Sequence, residues 1–186
     1  MIQSLLKHGY NMSYIVVDVE ADGELVGHHS IVCFGAVVVE PSLSKTFYGK
    51  IKPIGLEYNS KALGISGFSR SEHEAFDDPE TVMLNFEKWI LNNSKGKPMF
   101  ISDNPAFDWQ WINWYFHRFL TRNIFGFSAR RIGDLYCGMK LDASLNSEWK
   151  KLLRKTTHDH NPVNDAKGNA EAILAMQKMG LKIELV

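Results

Sequence analysis

The chain has 186 residues, enough for one well-buried core and few for two, and its hydrophobic fraction of 45% and charged fraction of 23% are those of an ordinary globular protein. Its 21 Lys and Arg balance 21 Asp and Glu, which argues against a general polyanion-binding surface and leaves room only for a local basic rim. No apolar stretch reaches membrane-spanning length, no signal peptide is apparent, and Cys33 and Cys137 lack metal-motif spacing, so reduced thiols, no membrane and a cytoplasmic setting are expected.

Residues 1–11 read as an N-terminal extension to a single domain spanning 12–186. The run Tyr14-Ile15-Val16-Val17-Asp18-Val19-Glu20 is apolar except for its two acids and reads as a buried strand. A Gly-bearing turn from Ala21 to Gly27 leads to a second apolar run, Ser30 to Val39, and a third from Thr46 to Ile51 precedes Pro53; short connections make the three an antiparallel meander. After a mixed segment, Ser60 to Phe76, a helix is expected from Asp78-Pro79-Glu80, with Val82, Phe86, Trp89 and Ile90 at helical spacing and an end between Asn92 and Gly96.

Pro98 to Ser102 reads as a short strand, and Asn104-Pro105 as a cap with Pro at the first position of a helix reaching Leu120. A short connection from Phe127 leads to a helix around Arg131 to Gly138. Lys150 to Thr157 is basic and reads as a helix end or exposed loop, and Pro162 opens a last helix to about Met179. Strands first and helices alternating later predict an α/β layer fold on one mixed sheet.

Residues two apart on a strand share a face, so Asp18 and Glu20 point the same way. Two ionised carboxylates side by side in low dielectric cost several kcal/mol unless a cation compensates them; the bland alternative is that both are solvated at the strand end. On the helix Pro105–Leu120, Asp108 lies within about 40° of Ile112, Tyr115 and Phe119, in the middle of the apolar arc. On the last helix Asp165 lies on the side of Ala172 and Met176, opposite Lys167, Glu171 and Lys178. His160 sits on the loop before Pro162, where a neutral imidazole can take a proton from water. Phe107, Trp109, Trp111 and Trp114 are candidates for stacking bases, although core packing is the simpler role. Four acids on three elements plus an imidazole suit hydrolysis of a phosphodiester with two Mg²⁺ or Mn²⁺ ions, since hard cations take oxygen ligands.

The set Asp18-x-Glu20, Asn104-Pro105-Ala106-Phe107-Asp108 and His160-x4-Asp165, with Gly35-Ala36-Val37 in the second strand, resembles the DEDDh exonucleases in order and spacing. That superfamily includes the proofreading subunit of the bacterial replicative polymerase, RNase T and oligoribonuclease. Phe127 to Gly138 and His158 to Ala166 are most similar to its short Rv-type exoribonuclease and phage exonuclease branch. The resemblance implies an RNase H-like fold, a mixed five-stranded sheet flanked by helices, and 3′-to-5′ release of nucleoside monophosphates from single-stranded RNA or DNA. It also implies Asp18, Glu20, Asp108 and Asp165 as metal ligands and His160 as general base, and some relatives form homodimers. Ala21 departs from the threonine that often follows the acid pair, which touches a side-chain contact and not the metal ligands. Competing readings are an endonuclease on the same fold, a catalytically degenerate docking module, and a zinc site of His28, His29, His158 and His160, whose spacing fits no closed zinc pattern.

Overall fold

The apolar run around Asp18 becomes the middle strand of the sheet. In a computed structural model, which describes residues 12–183 and 185, β1 (Met12–Ala21) pairs antiparallel with β2 (Ile31–Val38), and β2 pairs antiparallel with β3 (Thr46–Lys50). On its other side β1 runs parallel to β4 (Lys97–Ser102), and β4 parallel to β5 (Ala129–Arg131), giving the order β3-β2-β1-β4-β5. The N-terminal extension expected at residues 1–11 lies outside the described residues.

Among the described residues the seven α-helices are α1 (Ser60–Ile65), α2 (Arg70–Glu74), α3 (Pro79–Asn93), α4 (Pro105–Leu120), α5 (Ile132–Lys140), α6 (Glu148–Leu153) and α7 (Pro162–Lys178). The mixed segment Ser60–Phe76 resolves into α1 and α2, each started by a polar side chain: Asn59 accepts from the first turn of α1, and Ser69 forms a reciprocal capping box with Glu72. Asn104 was expected to cap α4, yet its side chain makes no capping bond. Pro105 already removes one of the donors a cap would satisfy. β5 occupies the connection expected after Phe127; three residues with two arginines carry too little periodicity to show a strand.

Both faces of the sheet are covered, which explains why β1 and β2 are apolar on both sides. Ile15, Val17 and Val19 pack with Phe34, Met83, Phe86, Trp111 and Tyr115 in one core. Tyr14 and Val16 pack with Val37, Ile132, Trp149, Ile173 and Met176 in the other. Each such side chain contributes about 1.5–3 kcal/mol on burial. By strand alternation, Asp18 and Glu20 continue the face of Tyr14 and Val16, the face on which α7 lies. Among the described residues no helix is long and apolar enough to cross a membrane.

Candidate active site

One backbone position brings the last helix to the acid pair. Gly35 is the β2 partner of Asp18, and a Cβ at Gly35 would collide with the backbone of Pro162 and Val163. Without that Cβ the first turn of α7 sits directly on β2. The turn is closed by Asn161, whose Oδ1 accepts from Val163 N and Asn164 N at 3.1 and 3.4 Å, with Pro162 following. Asp165 is thereby buried beside the strand, and ligand oxygens of Asp18, Glu20 and Asp165 lie within 4.8 Å of one another.

Asp108 arrives from the opposite face. β4 stops pairing with β1 at Val16, which frees the Val19 N–H, and Asp108 Oδ1 accepts it at 3.2 Å. Asp108 therefore lies outside the tight trio, but its charge acts on Asp18: burial raises the Asp18 carboxyl well above its ordinary range, and Asp108, Asp165 and Glu20 raise it further against a lowering by Arg154. Burial pushes Asp108 itself up to about 7. Burial likewise raises Glu20, opposed by the His160 imidazole. Four oxygen-donor side chains with no thiol among them fit hard divalent cations.

The loop before α7 completes the site. His160 has φ 60°, an unfavourable left-handed conformation for a residue with a Cβ, and its N–H donates to Asp165 Oδ2 at 3.1 Å. Its Nδ1 lies 3.4 Å from Glu20 Oε1, and the ring is half exposed, open to water. His158, to which spacing gave no role, is also placed here: its Nδ1 is 2.7 Å from Asp165 Oδ1, and its ring packs edge-on against His160. Arg154 donates to the same Asp165 oxygen from Nη2 at 2.9 Å.

Neither His158 nor Arg154 was found from sequence. A usable signal for Arg154 is Gly168 in the middle of α7, flanked by Asp165 and Asn169, where a helix would otherwise prefer Ala. His28 and His29 stay apart from this loop, paired with Glu57 and the Leu25 backbone, and no four-histidine cluster occurs among the described residues. Of the four base-stacking candidates on α4, Trp111 is fully buried, and Phe107, Trp109 and Trp114 pack against the same core.

The family model of the Rv2179c-like domain, described as a 3′-5′ exoribonuclease domain, matches residues 13–177. The chain belongs to that exonuclease family. A relative from Escherichia coli, the 3′-5′ DNA exonuclease Cap18, is 33% identical to this exonuclease over 180 residues, covering 92% of the chain and 95% of the relative. The nuclease domain of 3′hExo, a DEDDh family member solved with rAMP, matches 96% of this chain and 98% of its own with a TM-score of 0.75 at 17% identity. Escherichia coli exonuclease I in complex with a dT13 oligonucleotide matches 90% of the chain and 40% of its own, with a TM-score of 0.64 at 13% identity. These two likenesses carry the fold, and the DEDDh arrangement expected from the motif set, an RNase H-like sheet flanked by helices, is the one observed.

Proposed function

We propose that this exonuclease acts on single-stranded RNA or DNA, releasing nucleoside 5′-monophosphates from a free 3′ end with two divalent cations, Mg²⁺ or Mn²⁺, held by Asp18, Glu20, Asp108 and Asp165. The observation that carries the reading is the convergence of Asp18, Glu20 and Asp165 oxygens within 4.8 Å, next to a half-exposed histidine. When bound, the cations supply activation of the attacking water and neutralisation of the leaving oxygen. His160 takes the proton of the attacking water as the new P–O bond forms; the bond from phosphorus to the 3′-oxygen of the preceding nucleotide breaks, and that oxygen takes a proton from solvent to become the strand's new 3′-hydroxyl. Glu20, against the His160 ring, orients the imidazole, and the Asp165 carboxylate fixes the loop through the His160 N–H. His158 acts as a second positioning group on Asp165.

The activity is assigned to one domain over residues 12–186, in a reducing cytoplasm; the free, buried Cys33, whose thiol burial pushes up to about 12, agrees with an inert reduced side chain. The relative named as a DNA exonuclease and the family described as exoribonucleolytic leave both sugars as substrates.

The test uses single-stranded RNA and DNA of equal sequence, labelled at the 5′ end. A ladder shortening from the 3′ end with mononucleotide release, only with Mg²⁺ or Mn²⁺, is the expected result. Full activity in excess EDTA, or circular strands cut as fast as linear ones, would replace this reading by a metal-independent or endonucleolytic one.

A further inference from the structure

Between α6 and His158 the chain has no regular structure, yet it is fastened to α7 residue by residue. Arg154 is the first anchor: its side chain is 8% exposed, with Nη2 on Asp165 at 2.9 Å and Nη1 on Asn169 Oδ1 at 3.2 Å. Gly168 makes room for it, since a Cβ there would fall 2.6 Å from Arg154 Nε. Glu171 is the second anchor. Its Oε2 accepts from the backbone N–H groups of Lys155 and Thr156 at 2.7 and 2.8 Å, and its Oε1 accepts from Thr156 Oγ1 at 2.9 Å. A glycine inside a helix and a carboxylate used on two successive backbone donors mark this segment as a built wall.

The wall bounds a cavity of about 390 Å³ that opens beside Asp18, lined also by Lys150, Lys155, Thr157 and His158. Lys150 is held across its rim by an ion pair with Asp103, at the end of β4. Lys155 and Thr157 are exposed and add an ammonium and a hydroxyl. Glu20 and His160 do not line it, so the cavity extends to one side of the reacting centre. No Phe, Tyr or Trp lines it either, and its lysines suit it to an anion more than to a stacked base.

The chemistry of the substrate then fixes which anion. A strand ending in a free 3′-hydroxyl has no phosphate beyond its last nucleotide. With the scissile phosphate at the carboxylates, every other phosphate of the strand lies on the 5′ side. We infer that this cavity binds a phosphodiester within two linkages on the 5′ side of the scissile bond, with Lys150 and Lys155 as donors and Arg154 and Glu171 as the residues that hold the wall in place. The inference rests on the exonuclease reading of the acid cluster and adds the path of the strand.

Oligonucleotides carrying one neutral methylphosphonate at successive linkages test it. For the wild-type protein, kcat/KM should fall about tenfold when the modification lies one or two linkages upstream of the scissile bond, the loss expected for a charge-assisted contact. It should fall little at the fourth. Lys150→Gln with Lys155→Gln should lower kcat/KM on the unmodified strand by a similar factor and abolish that positional sensitivity. It should also reduce the slope of log affinity against log salt by about 0.7 per lysine removed. Lys88→Gln, on the exposed side of α3, should change neither. Wild-type protein indifferent to the position of the modification, or a double variant that keeps the wild-type sensitivity, would overturn the inference. A wild-type protein that shortens no strand would overturn the exonuclease reading itself, a result visible before any substitution is made.

Discussion

Two carboxylates four residues apart, Asp18 partly buried within β1 and Asp22 just past its end, have opposite surroundings. Asp22 is fully buried, and burial raises its carboxyl, but its charge is answered: Oδ1 accepts Ser30 N–H at 2.5 Å and Oδ2 accepts Arg70 Nη1 at 3.2 Å. Arg70 continues to Gly55 O and Glu74, and lies over the Tyr58 ring, so Asp22 ties the segment before α1 to the sheet. His73 lies 3.7 Å from the same carboxylate with its Nδ1 unpartnered, and burial lowers its pKa, so Arg70 is the effective counter-charge. Asp18 has mostly acids for neighbours. A carboxylate compensated by the chain itself is structural; one left to be compensated from outside is what we propose as a metal ligand.

The largest effects should separate the two. Asp18→Asn should remove exonuclease activity to the detection limit while leaving the metal-free Tm equal or higher, because it relieves repulsion within the cluster. It should also abolish the rise in Tm that Mg²⁺ or Mn²⁺ gives the wild-type protein, a rise expected of any ligand that binds only the folded state. Asp22→Asn should do the reverse: removing one partner of a buried ion pair costs about 3 kcal/mol, a fall in Tm of roughly 6–12 °C for a chain of this size, with the metal-induced rise retained. Calorimetry of both variants with and without metal checks this. A large metal-free destabilisation by Asp18→Asn would give that residue a structural role and collapse the contrast.

The loop histidines sharpen the comparison at the next level. His160→Ala should lower kcat by about 10²- to 10⁴-fold with metal binding largely retained, as for the loss of a positioned general base. His158→Ala should show a smaller fall in kcat, together with weaker metal binding, because its ring is set against Asp165, a proposed ligand. Steady-state kinetics and metal titration of the two variants check the assignment, and the reverse ranking would move the base to His158.

The four longer strands, the long helices and the inward acids were legible because each rests on a strong periodic signal. Asp108 and Asp165 stand out on apolar helix faces, and Pro105 and Pro162 mark where those helices begin. The resemblance to the DEDDh motif set supplied the pairing of His160 with Asp165. What stayed hidden depends on contacts without a period. The staple from Arg154 to Asp165 and Asn169 joins a loop to a helix face, and the role of His158 follows from how that staple aims the loop. The Asp22 network was hidden for a similar reason, since Arg70 lies 48 positions away in a five-residue helix whose place only the fold defines.

The smallest expected effect concerns the pH dependence of the metal-free protein. Burial holds Asp108 up to about 7, against about 3.9 for an aspartate in an unfolded chain. Between those values the folded protein keeps a proton that the unfolded chain has released, so folding takes up a proton and stability falls as pH rises. The loss begins near pH 4 and is complete above pH 7; burial and neighbouring acids give Asp18 the same sign. Asp108→Asn removes this titration while its amide oxygen can still accept the Val19 N–H. In EDTA the variant should therefore be close to wild type near pH 4 and more stable by a few degrees in Tm at pH 8, with the gap opening between. Saturating divalent metal should close or invert the gap, because only the wild-type carboxylate is stabilised by it in ionised form. A gap independent of pH would mean that Asp108 is already ionised in the metal-free protein, and that the crowding of acids around β1 is relieved without a cation.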